Sequence, residues 1–424
     1  MLIIGNKPYY NLKLTNLLDK FDKNIRLNFG LPNYNNGSLT YIQYLNTHVY
    51  RNFKMNNLNH YKTSTNTDEE YLNKFIDIFK QKDFKFILEQ NNNYYIIYNR
   101  FLNDNGCPYL FTKLPRLGCN AIFDTLLNLN GSREGDDKIY ISNFSTSINE
   151  NKLHLYNNRN INDISKCHNV NDEILIINWL HNNNYIDATL SYLCDYELPF
   201  ITCKTISPSL DVVSILLKEY GICILEDYYT EEQLNSINRE FDNIFINNKN
   251  KIEILDKEEC SNDERIFYAE KYSNIIKELF SDNKFLNDCA MLYNKRLNKK
   301  TLINKLEYEN NKIKNSGAGW HRDNHDCQFK AIMYLTDVNE NNGNFQFLTN
   351  SSKKFIGYPK PRTENYNTRF YDNVIQQLIE NNDNVKLHDI IGKKGTIILA
   401  DTTYIHRGNI IKEGSRKAIT QYFF

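Results

Sequence analysis

Apolar positions along the first half come in short runs separated by helical periodicities. Leu2–Ile4 is an unbroken apolar run closed by Gly5-Asn6, the pattern of a buried strand ending in a tight turn. Lys23–Asn28 predicts a second strand after a short helix, an α/β opening. Phe84–Glu89 and Tyr94–Tyr98, joined by Gln90 and the Asn91–Asn93 run, predict a hairpin. Ala121–Leu129 is apolar at helical spacing, Lys138–Ser142 returns as a strand, and the alternation continues to about Pro199.

Periodicity weakens over Pro199–Pro208, which puts the domain boundary there and divides the chain into 1–204 and 205–424. Asp211–Tyr220 predicts a helix stopped by Gly221, followed by a strand at Ile222–Leu225. Thr230-Glu231-Glu232-Gln233 is a capping box, and Leu234, Ile237, Phe241 and Ile244 line one face of the helix it opens. Beyond Trp320 the rhythm changes to short alternating strands, with Phe329, Ala331, Met333 and Leu335 on one side. Such strands predict an all-β sandwich or jelly roll. No internal repeat occurs.

Length and composition narrow the classes. At 424 residues the chain suits two or three domains. Its 51 basic and 51 acidic side chains cancel, so no overall field favours nucleic acid or an anionic membrane. Hydrophobic residues make up 41%, enough to build cores, which argues against wholesale disorder. Asparagine is abundant, at 66 residues, as in an AT-rich coding genome, and its short runs read as surface loops. Nine cysteines lie scattered between Cys107 and Cys327 with no C-x-x-C pair, which fits a reducing compartment. The N-terminus lacks a basic signal-peptide region, and no apolar stretch reaches about 18 residues, so no membrane span is expected.

The chemistry concentrates in two places. Gly319-Trp320-His321-Arg322-Asp323 contains H-x-D, and His406 follows 85 positions after His321. Two imidazoles and a carboxylate can hold one face of Fe(II) and leave positions open for a co-substrate and O2. In a strand, residues i and i+2 point to the same side, so His321 and Asp323 can reach one ion. Arg416, ten residues past His406 in a strand-like stretch, has the fork geometry for a carboxylate. These residues, with Gln328–Val338, Asn342-Gly343-Asn344-Phe345, Gly395–Asp401 and the opening Tyr220–Asp227, resemble the phytanoyl-CoA dioxygenase family of Fe(II)- and 2-oxoglutarate-dependent oxygenases over roughly 210–424. The resemblance implies that His321, Asp323 and His406 hold iron and that Arg416 binds the distal carboxylate of 2-oxoglutarate. His325 and Asp326 are alternative ligands or rim residues. Lys330, one residue out of phase with the apolar row, reads as a solvated strand lysine or a co-substrate contact.

In the first half, Ile3–Pro8 and Leu18–Phe29 with its R-x-N are similar to the large motif of the sialyltransferase family. Pro115–Leu127 with Lys138–Phe144 resembles the small motif, His154-Leu155-Tyr156 the His-Tyr motif, and His168–Glu173 the last motif with its H-x4-E spacing. The resemblance implies a Rossmann-like glycosyltransferase domain in which Gly5, Asn6, Asn28, Gly118 and His154 bind a nucleotide-sugar donor, CMP-linked in that family, and His168 is the base. A neutral imidazole suits removal of an acceptor proton near pH 7. Glu173 serves catalysis or simply the dipole at the start of its helix. Tyr9, Arg116 and Leu117 stand where that family usually has hydroxyl residues, which leaves the donor open.

Taken together, the sequence predicts an α/β domain followed by a double-stranded β-helix oxygenase domain. The expected protein is a bifunctional enzyme of the cytoplasm, including the host cytoplasm of a large DNA virus, that acts on a small-molecule or glycan substrate. The alternative is an active oxygenase carrying a degenerate, non-catalytic sugar-nucleotide-binding module.

Overall fold

The computed structural model describes residues 1–5, 15–18, 20–21, 24–27, 42–45, 85–88, 94–113, 115–128, 138–142, 144, 169–193, 197–254, 262–294, 298–309, 319–323, 328–352 and 368–424. The chain forms two compact units, Met1–Glu197 with Thr205–Ser209, and Leu198–Lys204 with Leu210–Phe424.

The first unit is built on five parallel strands: β1 (Leu2–Ile4), β2 (Asn24–Leu27), β3 (Ile42–Leu45), β4 (Lys85–Leu88) and β5 (Tyr140–Ser142), in the order β4-β3-β2-β1-β5. All three residues of β1 are buried, as in a parallel strand covered on both faces. The predicted hairpin is not formed. Its first arm is β4, which bonds in parallel to β3, and its second arm begins a helix, Tyr94–Asp104. Tertiary packing overrides the β-propensity of the Tyr-Ile run. Tyr98 and Leu102, one turn apart, are buried while Ile96 and Ile97 are exposed, Tyr98 stacks on Phe123 at 4.8 Å, and its hydroxyl donates to Asp124 at 2.7 Å. The helix expected from Glu173 starts earlier, at Val170–Asn182, because the Asn169 side chain caps it by accepting from the Asp172 amide.

The second unit contains two sheets. Strands β6 (Phe200–Thr202), β7 (Ile222–Glu226), β8 (Glu253–Ile254), β9 (Asn262–Phe267), β10 (Lys299–Glu307) and β11 (Phe329–Tyr334) share the large sheet with β14 (Ile397–Asp401) and β16 (Ser415–Phe423). Its order is β6-β7-β14-β11-β16-β10-β9-β8, antiparallel except for β6 beside β7. Strands β12 (Phe345–Leu348), β13 (Leu387–Ile390) and β15 (His406–Gly408) form the small sheet, in the order β13-β12-β15. A core of Ile222, Ile224, Tyr334, Phe345, Phe347, Ile390, Ile398 and Tyr404 draws on both sheets, so the unit is a jelly-roll-like sandwich.

Cross-strand partners share a face, and this sorts the large sheet into two sides. Phe329, Ala331 and Met333 face the helix Lys284–Asn294, whose Tyr293 ring lies 5.9 Å from that of Phe329. Lys330, Ile332 and Tyr334 face inward, and so do their partners Tyr422, Thr420 and Ala418 on β16. The capping box at Thr230 is complete: its hydroxyl accepts from the Gln233 amide at 3.2 Å, and Gln233 Oε1 accepts from the Thr230 amide at 2.9 Å. Gly221 closes the helix Leu210–Tyr220 with φ +74°, and a Cβ there would meet the Tyr404 ring at 2.5 Å.

Candidate metal centre

His321–Asp323 runs extended between two neighbouring segments. The amide of His321 donates to His406 O at 3.0 Å and the amide of His406 donates back to His321 O at 2.9 Å, so the two residues form a hydrogen-bonded antiparallel pair. Both imidazoles therefore lie on one side, with ring centroids 4.3 Å apart. The Arg322 amide donates the opposite way, to Thr368 O, and the Asp323 amide returns to Thr402 O. This alternation delivers Asp323 beside His321 and turns Arg322 away, where it is 1% exposed and donates to Ser351 O at 2.6 Å.

The ligand atoms of His321, Asp323 and His406 all lie within 4.8 Å of one another. Asp323 Oδ1 is 3.6 Å from His321 Nε2, and Asp323 Oδ2 is 3.6 Å from His406 Nε2. Each imidazole is held by its other nitrogen: Nδ1 of His321 meets Gly319 O at 2.8 Å and Nδ1 of His406 meets Tyr404 O at 2.9 Å. A carbonyl only accepts, so Nδ1 carries the proton in both rings and each Nε2 lone pair is turned inward, the arrangement that orients histidine ligands. Burial pushes both imidazoles down, His406 to about 4 and His321 well below its ordinary value, which keeps them neutral near pH 7. Burial alone would raise Asp323, but Lys330 and the two imidazoles outweigh it and hold the carboxyl well below the usual range. Two neutral imidazoles and one carboxylate are the donor set that fits a non-haem Fe(II) ion.

Lys330 is not solvated. It is buried on the inner face of β11, its Nζ lies 2.5 Å from Asp323 Oδ2 in a charge contact off the hydrogen-bond line, and it sits 4.4 Å from the Tyr422 ring centroid. Burial works to lower its proton affinity, and Asp323 overrides that and raises it.

Arg416 is buried on the same inner face, on β16 opposite Leu306 of β10. Its Nη1 donates to Gly343 O, presented by a turn with φ +82°, and its buried Nε has no hydrogen-bond partner. Burial lowers its proton affinity, while Tyr334 and Asp263 act to raise it. A buried guanidinium with an unused N–H fits an incoming carboxylate.

Sequence reasoning did not find Arg369, which bridges His321 on the side opposite His406 and shares its face. No motif marks that position. In the first unit, Gly5 follows β1 and its amide donates to Ser142 O at 2.7 Å, while Gly118 is buried in the first turn of the helix Leu117–Asn128. Asn6, Tyr9, Asn28, His154, His168, His325 and Asp326 lie outside the described residues. Glu173 is 1% exposed and accepts from the Arg116 amide at 2.8 Å and from Arg116 Nε at 2.5 Å. The arginine that departs from the small-motif pattern thus serves to hold this carboxylate at the start of its helix.

Residues 217–417 match the family model of phytanoyl-CoA dioxygenase (PhyH). No curated protein matches the chain. Among solved structures, the non-heme alpha-ketoglutarate-dependent carbocyclase SnoK from nogalamycin biosynthesis is 13% identical, with 49% of this chain and 81% of that one covered at a TM-score of 0.37. EctD from S. alaskensis, solved with 2-oxoglutarate and 5-hydroxyectoine, is 16% identical, with 50% and 74% covered at 0.38. A Pseudomonas putida prolyl-4-hydroxylase is 10% identical, with 51% and 98% covered at 0.36. The sialyltransferase resemblance of residues 1–204 finds no counterpart among these proteins.

Proposed function

We propose that the second unit is an Fe(II)- and 2-oxoglutarate-dependent oxygenase that hydroxylates a small organic molecule. The observation that carries this reading is the His321–Asp323–His406 cluster, with both imidazoles buried and in the tautomer that turns Nε2 inward, inside a stretch matching the phytanoyl-CoA dioxygenase family. His321, Asp323 and His406 would hold the metal, and Arg416 would take the distal carboxylate of 2-oxoglutarate. Bound iron supplies the redox chemistry that couples 2-oxoglutarate decarboxylation to oxidation of the substrate. The chain's own part is to present three ligands on one side, to keep the site dry between two sheets, and to orient the co-substrate through Arg416. Anaerobic titration with Fe(II), followed by succinate release on admission of O2 with 2-oxoglutarate present, tests the reading. A protein that binds no iron overturns it.

A second reading concerns residues 1–204, as a sugar transferase with His168 as base and a nucleotide-sugar donor on Gly5, Asn6, Asn28, Gly118 and His154. One observation favours it. The strand order reverses at β1, which has β2 on one side and β5 on the other, and Gly5 lies at the carboxyl end of β1 at that reversal. Ligands of open parallel sheets bind at such switch points. Calorimetric titration with CMP and other nucleotides tests it, and failure to bind any of them removes it.

A further inference from the structure

We infer that Lys330 is a positioning residue that makes Asp323 a one-oxygen ligand, so that three coordination positions stay open for 2-oxoglutarate and O2. The inference rests on the oxygenase reading above.

The Asp323 carboxylate is placed almost symmetrically: each oxygen lies 3.6 Å from one imidazole Nε2. Nothing in that pair of distances decides whether one or both oxygens go to a metal. Lys330 breaks the symmetry. Its Nζ lies 2.5 Å from Oδ2, no cation of the described residues forms an ion pair with Oδ1 other than His321 when protonated, and the lysine side chain is only 8% exposed. A metal ion on Oδ2 would share that oxygen with an ammonium group and be repelled by it, whereas Oδ1 is the oxygen left to give. A facial triad with a one-oxygen carboxylate leaves three positions, and one with both oxygens bound leaves two.

The surroundings argue that the charge is there for a reason. Lys330 stands opposite Ala400 on β14 and Tyr422 on β16, and Ile332 and Ile398 follow it on the same inner face. An apolar side chain would pack there without the cost of desolvating an ammonium group. The Tyr422 ring, 4.4 Å from Nζ, leaves the head of the side chain little freedom except toward Asp323.

The test compares the full chain with Lys330→Met and Lys330→Arg, loaded anaerobically with Co(II) or Fe(II). Three quantities are read: metal affinity, the oxygen coordination at Co(II) by X-ray absorption, and 2-oxoglutarate affinity from the charge-transfer absorption of the Fe(II) complex. Lys330→Met should bind metal at least as well as the parent, show one additional carboxylate oxygen at the metal, and lose 2-oxoglutarate affinity by about tenfold or more, the effect expected of an outer partner. Lys330→Arg, which restores a cation against Oδ2, should return toward the parent in all three. If Lys330→Met loses 2-oxoglutarate affinity with unchanged metal coordination, Lys330 is a co-substrate contact and the inference fails. It fails equally if metal binding is lost with the fold intact, or if nothing changes. Should Lys330→Met not fold, Lys330→Gln carries the same comparison. A parent that binds no metal overturns the oxygenase reading itself.

Discussion

On the proposed reading, replacing Arg416 with Met should separate co-substrate binding from metal binding, because the clustered ligand atoms belong to His321, Asp323 and His406. In the free protein the change removes the donor to Gly343 O, which leaves a buried carbonyl unsatisfied at about 1 to 3 kcal/mol. It also removes a guanidinium whose Nε is buried without a partner, which offsets part of that loss. Folding stability without ligands should therefore move little. With 2-oxoglutarate present the balance differs, since a carboxylate loses its fork partner in a dry site at a cost of about 2 to 5 kcal/mol, or roughly 30-fold to several-thousand-fold in affinity. The assay is thermal unfolding of the Co(II)-loaded protein with and without 2-oxoglutarate. At about 100 times the parent Kd the parent gains about 2.7 kcal/mol, while the variant should gain no more than about 0.9 kcal/mol, the value for a roughly 30-fold loss. Equal shifts in the two proteins would refute the assignment of Arg416 to the carboxylate.

Three further outcomes are expected. His321→Ala should lower metal affinity by more than about 100-fold, since outer partners alone are worth about 10 to 100-fold, and added 2-oxoglutarate should not restore it in an anaerobic titration. Thr230→Ala should cost about 1 kcal/mol in urea denaturation, through loss of the hydroxyl that accepts from the Gln233 amide, with no change in metal affinity. Burial, aided by Asp227 and Glu226, pushes the Cys203 thiol up to about 12. Its contribution is intact below the unfolded value near 9 and is lost as pH rises toward 12, because only the unfolded chain releases the proton in that window. The urea midpoint should thus fall between pH 8 and 10.5, and fall less in Cys203→Ala; parallel curves for the two proteins would sink this.

The convergence of His321, Asp323 and His406 was legible because these residue types are chemically rare in combination and because alternation makes i and i+2 share a side. The capping box was legible for a similar local reason, since both of its bonds lie within Thr230–Gln233. What failed was context. The Tyr94–Tyr98 run has the composition of a strand, and only the distant partners Phe123 and Asp124 make it a helix face. The tautomers of His321 and His406 depend on backbone carbonyls two residues before each ring, a matter of chain path that no spacing encodes. Asn6, Asn28, His154 and His168 of the first-unit motifs fall outside the described residues, so the reading of those positions rests on pattern.

Lys330 exposes the deeper reason that a sound pattern can mislead. Its phase was read correctly: it points away from the row of Phe329, Ala331 and Met333. The step from that phase to solvent assumes a sheet with one dry face and one wet face, which is the usual antiparallel case. Strand β11 lies fourth in an eight-stranded sheet, with a helix over one side and the small sheet over the other. Both faces are interior, so a residue out of phase with one apolar row is delivered into the sandwich instead of out of the molecule. A charged residue in such a place needs an opposite charge, and Asp323 is the one that meets it. A single polar position in a central strand of a closed sandwich is therefore better read as a pointer to the site than as a gap in the core.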